Sequence, residues 1–489
     1  MKAVPPDASW LRPAVAIMAG RALGVAVSFL IPVVLVRCLD QSAFGAYKQL
    51  MLIYATLYGV AQVGMAESLF YFVPQAPGEA GRFALNSTLA LAVAGLGSLA
   101  LLIVLAPAVG DLLGAPAIEP LLPLLGLYLA LMLASSGMEI VLTAHKRFVA
   151  AAGAYAGSDA VRALLFVLPV LLVPRLEWLL LGGTAFAAAR LGAFLLCLRR
   201  EFGDRLRPDA ALFKRQIAYA LPFEMYVIVE ILQMHYHQYV VASSFDAATF
   251  AVYAVGCLQV PLFDLLAGSA GNVMMVRMTE ERRVGRSATV LAAWHDTTAK
   301  LAWAFLPLVA LLLLNARDLI ALVFTEAYLP SVPVFMVWTG VFLLSALPLD
   351  GVMRVFAQTR FLLLLGIVKV LVIAVTIHWF LSAMGLPGAV AVTILASCLA
   401  KGVALARLGR LLQVGVARVL PWRRLARSAA CAAAAALPAA VAASAVGDVR
   451  AVRMLVSGLV YAVAYLALSR RSSIAAARAH LVAMRSGAW

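Results

Sequence analysis

Residues 39–47 read Leu39-Asp40-Gln41-Ser42-Ala43-Phe44-Gly45-Ala46-Tyr47, and 206 positions later residues 245–253 read Phe245-Asp246-Ala247-Ala248-Thr249-Phe250-Ala251-Val252-Tyr253. Each copy carries Asp-x-x-x-Phe-x-x-Tyr where one apolar run ends and the next begins. Two further matches keep the same order. Ala144-His145-Lys146-Arg147-Phe148, with Gly153, aligns with Ala357-Gln358-Thr359-Arg360-Phe361, with Gly366, at an offset of 213. Leu112, Ala117 and Pro120 align with Leu322, Ala327 and Pro330 at an offset of 210. Three ordered matches at nearly constant offset indicate an internal duplication.

The composition says what is duplicated. Of 489 residues 64% are apolar and 13% charged, against roughly half and a quarter in a soluble domain. Too little polar surface remains to cover a water-soluble core, which excludes a soluble enzyme. A membrane span needs about 20 apolar residues. Fourteen runs qualify: 13–36, 46–73, 83–107, 120–143, 149–173, 177–198, 216–242, 250–276, 296–315, 331–349, 360–382, 386–408, 425–446 and 451–469. The first is too long for a signal peptide, contains Arg21 and lacks a small-residue cleavage site, so it reads as a retained span.

Loop charge sets the orientation. With a cytoplasmic N-terminus, 29 of the 39 Lys/Arg fall on the cytoplasmic side. Six fall opposite (Arg37, Lys48, Arg175, Arg317, Arg450, Arg453) and four lie inside spans (Arg21, Arg162, Arg190, Lys369). That asymmetry fits fourteen spans with both ends cytoplasmic. The net charge of +16 is thereby explained by topology and anionic headgroups, and no nucleic-acid partner is expected. The five cysteines (Cys38, Cys197, Cys257, Cys398, Cys431) are scattered in apolar runs, with no metal or disulfide spacing. No loop has room for a catalytic domain. The tail, 472–489, is expected to form a short helix on the cytoplasmic surface.

Six spans per copy is an even number, so the copies face the same way, related by an axis along the membrane normal. The expected fold is an all-α polytopic membrane protein of about 14 transmembrane helices. Two parallel six-helix lobes, 1–200 and 201–411, flank a central cavity; spans 13–14 occupy 412–471 and a cytoplasmic tail 472–489. This is the plan of a transporter whose lobes rock against each other.

Val36-Arg37-Cys38-Leu39 followed by Ala43-Phe44-Gly45-Ala46-Tyr47 resembles the R-x-L-x(4)-F-G-x-Y stretch of bacterial polysaccharide transporters. These are the O-antigen and exopolysaccharide flippases of the multidrug/oligosaccharidyl-lipid/polysaccharide exporter superfamily. Tyr219-Ala220-Leu221-Pro222-Phe223, Ala251-Val252-Tyr253-Ala254-Val255-Gly256, Pro261 and Leu319 to Phe324 fit the same resemblance. It implies a fourteen-helix, two-lobed flippase for polyprenyl-pyrophosphate-linked oligosaccharides in the bacterial inner membrane, working with polysaccharide polymerase and chain-length proteins. The motif residues themselves are expected to shape lobes and gates, not to touch ligand.

Ionisable residues within spans are costly, by about 2.5–3.5 kcal/mol on insertion scales, so each needs a partner or a wet cavity. Candidate cavity residues are Arg21, Glu67, Tyr226, Glu230, Gln233, His237, Asp264 and Lys369. Tyr226, Glu230, Gln233 and His237 follow i, i+4, i+7, i+11 on span 7, while Glu224 lies on another sector. The resemblance implies that spans 1, 2, 7 and 8 line the cavity. Arg21 is the candidate for a pyrophosphate headgroup, through the planar fork of its guanidinium. Glu230 and Asp264 are candidates for H+ or Na+ coupling, Glu67 for a gate ion pair. Asp159 and Arg162, at i, i+3, read as a local ion pair. Glu139 reads as hydrogen-bonded within its lobe, and Arg190 and His378 as ambiguous. No cofactor is expected, and drive from an ion gradient or from the substrate's own gradient stays open. The alternatives are a multidrug or peptidoglycan-precursor exporter of the same fold, or a polytopic polymerase or ligase, which the short outer loops disfavour.

Overall fold

The computed structural model describes the backbone of residues 11–447 and 449–485, and side chains of residues 20–470 except 21, 223, 287, 416 and 448. Among the described residues every regular element is helical. Eleven helices are long and apolar enough to cross a membrane, and two bent pairs (Ala210–Pro222 with Glu224–Ser244, Ala247–Gly256 with Pro261–Arg283) would make one span each. Helix α1 (Leu11–Cys38), at 28 residues and 1.5 Å per residue, is long enough to complete the fourteen.

Packing divides the chain into two compact units, Met1–Ala254 and Val255–Trp489. The first contains α1, α2 (Gln41–Ala61), α3 (Met65–Gln75), α4 (Ala80–Val104), α5 (Ala106–Leu112), α6 (Leu122–Ala134), α7 (Met138–Ala144), α8 (Phe148–Leu172), α9 (Leu176–Phe202), α10 (Ala210–Ser244) and most of α11 (Ala247–Gly256). The second contains α12 (Pro261–Arg283), α13 (Ser287–Leu314), α14 (Ala316–Phe324), α15 (Val332–Leu344), α16 (Leu349–Val355), α17 (Thr359–Met384), α18 (Leu386–Leu412), α19 (Val416–Val419), α20 (Trp422–Ala445) and α21 (Arg450–Arg485). The duplication places the start of the second copy near residue 201. Packing places α10 with the first unit, because it lies against α2, α3 and α4.

The order α1–α9 recurs as α10–α18. In each copy the second span is broken, α2 from α3 and α11 from α12. In each copy the fourth span follows a short helix and a 3-10 turn, Pro116–Leu121 or Glu326–Ser331, offset by 210. That span then breaks into 13 and 7 residues, α6 and α7 in one copy, α15 and α16 in the other. The Asp of each motif caps the helix that follows it. Asp40 accepts the amide of Ala43 at 2.7 Å and Asp246 that of Thr249 at 2.9 Å, each worth about 1 kcal/mol. Phe44, Tyr47, Phe250 and Tyr253 are buried, so the motif holds packing, not ligand. Gly45 lies so close to the Ala247 backbone that a β-carbon has no room. The two copies of the motif therefore sit together at one end of the unit, as parallel repeats require.

The match at offset 213 needs correction to 211. Lys146 (φ 62°) and Ala357 (φ 55°) are the left-handed turn residues preceding α8 and α17, which start at Phe148 and Thr359. Similar letters aligned two residues away from the equivalent turns.

Spans 13 and 14 dock within the second unit. Tyr461 donates to the Ala432 carbonyl at 3.1 Å and Tyr465 to that of Trp303 at 2.8 Å. Arg453 reaches both oxygens of Asp318 at 2.7 and 2.9 Å. The tail does not start a new helix: α21 continues without a break from span 14 to Arg485, and residues 486–489 lie outside the described residues.

Candidate functional site: a polar cavity in the first unit

Inside the first unit, α2, α3, α6, α7, α8 and α9 line a half-open cavity of about 430 Å³. Close packing positions its walls. Gly20 of α1 approaches the Ala152 carbonyl of α8 so that a β-carbon would come within 2.6 Å, and Gly24 meets the Asp159 carboxylate one turn on. Small residues allow such approach between membrane helices. On α8, Arg162 pairs with Asp159 at 2.8 Å and donates to Ser28 at 2.6 Å. On the opposite wall Arg190 of α9 pairs with Glu139 of α7 at 2.8 Å and also donates to Ser158 of α8. The side chains of Arg190 and Glu139 are 11% and 6% exposed.

Breaks in two spans present the remaining polar groups. The chain turns at Val63 (φ 47°) and Gly64 (φ 63°) between α2 and α3, bringing Gln62 and Glu67 to the cavity wall. The α6–α7 break contributes Ser136. Tyr58, Tyr155 and Ser158 add hydroxyls, and Phe70 and Phe186 add ring faces. Each guanidinium is held by a carboxylate, whereas Glu67 makes no ion pair among the described residues. Fixed dipoles, hydroxyls and an amide supply both donors and acceptors, a lining suited to a polyhydroxylated ligand.

Of the sequence candidates, Glu67 lines this cavity. Arg21 lies on α1, and its side chain is outside the described residues. The span-7 stripe is divided by its surroundings: Tyr226 and Gln233 are half-buried, Glu230 is exposed. His237 is buried, with Nδ1 2.5 Å from the Tyr253 hydroxyl. Asp264 is exposed in the first turn of α12, and Lys369 is half-buried on α17. The local pair Asp159–Arg162 and the bonding of Glu139 within the first unit match the sequence reading. The sequence reading does not identify the cross-helix partner of Glu139, which is Arg190. The sequence signal is charge in neighbouring spans, with Glu139 near the end of span 4 and Arg190 within span 6.

Beside the cavity, α10 is stitched to α2, α3 and α4. Gln216 donates to Ser68 at 2.7 Å, and Tyr219 stacks on Tyr71 at 4.5 Å. Thr56 and His235 Nδ1 are 2.8 Å apart, and Tyr239 donates to Thr56 at 3.0 Å. At the membrane-flanking end, Asn86 and the Asp209 backbone exchange bonds of 2.8 and 3.1 Å. Asp209 caps α10; the amides of Leu212 and Ala211, then Arg82 at 3.3 Å, hold its carboxyl below the usual carboxylate range.

Known proteins share this architecture. A lipid II flippase, MurJ, in an inward closed conformation superposes with a TM-score of 0.71 at 13% identity, over 94% of this chain and 98% of that one. A multidrug resistance MATE family transporter gives 0.56 at 15% identity, covering 83% and 95%. A transporter of the same superfamily from Pyrococcus furiosus gives 0.58 at 12%, covering 83% and 96%. No curated protein matches the chain at the level of sequence. The fold is thus that of the multidrug/oligosaccharidyl-lipid/polysaccharide exporter class, whose solved members here are transporters and flippases, not enzymes. Residues 11–229 match the family described as polysaccharide biosynthesis protein, which bears out the resemblance carried by the first-half motifs.

Proposed function

We propose that the protein flips polyprenyl-pyrophosphate-linked oligosaccharide repeat units from the cytoplasmic to the outer face of a bacterial inner membrane by alternating access. Both termini are cytoplasmic in this reading, and the product feeds surface or exopolysaccharide assembly by polymerase and chain-length proteins. The observation that carries it is the hydroxyl-, amide- and ion-pair-lined cavity inside a largely apolar bundle. A glycan headgroup cannot cross hydrocarbon without replacements for its hydrogen bonds to water. Fixed donors and acceptors of both signs supply them without demanding one charge. Arg21, on the neighbouring α1, is the pyrophosphate anchor in this reading.

Cells lacking the protein are expected to accumulate repeat units facing the cytoplasm and to make no corresponding surface glycan. Units that reach the outer face but remain unpolymerised would overturn this in favour of an enzyme. A second reading, an exporter of the same fold, is favoured by two observations. Glu67, Glu139 and Asp159 outnumber Arg162 and Arg190 in the cavity, which suits cationic drugs. The lipid II flippase structure matches 94% of the chain against 83% for the MATE transporters. Drug sensitivity or defective cell-wall synthesis with normal surface glycan would select it.

A further inference from the structure

Glu224 is a buried carboxyl that no part of the proposed translocation uses. Its residue is 3% exposed, and its Oε1 is buried without a hydrogen-bond partner. It sits two residues beyond Pro222, where α10 bends by 44°. Directly opposite is the break between α2 and α3. A β-carbon on Gly64 would lie 3.2 Å from the Ala220 β-carbon and 3.4 Å from Glu224 Oε2. The Gly64 amide faces the carboxyl as a donor. Thus the kink of one span and the interruption of another meet at this one side chain.

The charges around it do not balance it. From α3 comes Glu67, in the first turn and of the same sign. From α4 comes Arg82, held by Asp209 at 3.3 Å. The charged residue of α2 is Lys48, four turns away from the break, and its titratable groups on the cavity side include Tyr58. Along α10, Arg215 lies over the Phe72 ring at 5.4 Å. Lys214 precedes it, Tyr219 is stacked on Tyr71, and Tyr226 and Glu230 lie beyond. Among the described residues neither Glu224 nor Glu67 is in an ion pair. Two neighbouring carboxylates in a medium of low dielectric repel each other unless one of them holds a proton.

We propose that Glu224, with the like charge of Glu67 beside it, is a proton site whose occupancy holds α10 against the α2–α3 break. With the proton bound, the neutral Glu224 carboxyl stays buried against the break. Without it, repulsion and the unpartnered Oε1 favour withdrawal of α10, which lets water reach both groups. The site converts proton binding into opening and closing of one seam beside the cavity. It is distinct from the coupling candidates Glu230 and Asp264, both exposed. It does not depend on which ligand the cavity carries.

The test follows the seam directly, without substrate. Spin labels at Gly78→Cys and Arg207→Cys, in full-length protein lacking its native cysteines and held in lipid nanodiscs, report the separation of the α3–α4 and α9–α10 loops by pulsed distance measurement. The short distance should dominate in acid and give way to a longer one as pH rises from 5 to 9. Glu224→Gln, which keeps shape and removes the titrating group, should flatten the profile. Glu67→Gln should keep a profile but move its midpoint toward acid by about one pH unit, having removed the like charge. A pH-independent distance in the parent protein, or an unchanged profile in Glu224→Gln, would overturn the proposal. So would a distance that follows Na+ at fixed pH. Loss of the glycan phenotype in cells, by contrast, bears on the translocation reading alone.

Discussion

Replacing Arg190 with methionine isolates the more deeply buried ion pair of the cavity. The guanidinium is 11% exposed and the Glu139 carboxylate 6%, so its removal strands a carboxylate almost wholly out of water. Breaking a buried pair from one side costs about 3–5 kcal/mol. The adjoining cavity of about 430 Å³ can admit water to the orphaned oxygen, which puts the cost near the low end. For a unit the size of Met1–Ala254, about 3 kcal/mol lowers Tm by roughly 6 °C. Arg190→Met should show that fall in detergent, followed by intrinsic tryptophan fluorescence at one scan rate for every variant. Adding Glu139→Leu should recover most of it, because the double variant buries no unpaired charge. Both variants then separate scaffold from ligand contact. A double variant with restored stability but no export assigns the pair to the ligand, and one with restored export assigns it to the scaffold. An Arg190→Met protein as stable as the parent, or a double variant no better than the single, would refute the reasoning.

Three further outcomes follow from particular residues. A reporter active only in the cytoplasm should work when fused after Arg215, Arg286, Arg427 and Trp489, and be silent after Asp111, Asp246 and Asp448; a signal at Asp246 would contradict the parallel repeat. Arg21→Ala should abolish glycan export at normal abundance and Arg21→Lys should keep a fraction, since an ammonium lacks the bidentate fork; full activity of Arg21→Ala removes it from the mechanism. His145, just past α7, has its imidazole pushed below the usual histidine range by burial and by the Arg147 charge. The unfolded chain then binds the extra proton first, so this contribution to stability is present above about pH 6.5 and lost as pH falls through the lower folded value. The difference in Tm between the parent and His145→Gln should therefore change between pH 7.5 and 5.5, and a constant difference would exclude the shift.

Much of the fold was legible because membrane insertion imposes a simple code. Backbone groups in hydrocarbon must bond within their own segment, so span length and apolarity mark each helix with little competition. The repeat was legible for a related reason. Asp40 and Asp246 do the same capping work, and Phe44, Tyr47, Phe250 and Tyr253 do the same packing, so the letters persisted where the geometry did. At the turns before α8 and α17 the constraint falls on backbone conformation. Lys146 and Ala357 share a positive φ and no chemistry, and letter matching slipped there by two positions.

Breaks within spans were the least visible feature, and the polar architecture of the first unit is built on them. Gly64, Ser136 and Pro222 interrupt helices whose hydropathy runs on unbroken, so a window of about 20 residues passes over them. Facial periodicity then says too little for a physical reason: residues on one face meet different neighbours along the length of a helix. Tyr226, Glu230, Gln233 and His237 do share a face of α10 after its kink, but His237 is taken up by Tyr253 while Glu230 stays exposed. Glu224, set on another sector, is instead delivered to the α2–α3 break. In the same way Arg190 and Glu139 sit on different spans, and only the packing of α9 across α7 and α8 makes them partners. Charge inside a span is thus readable from sequence as a requirement for a partner, whereas the partner's identity depends on crossings that no single helix encodes.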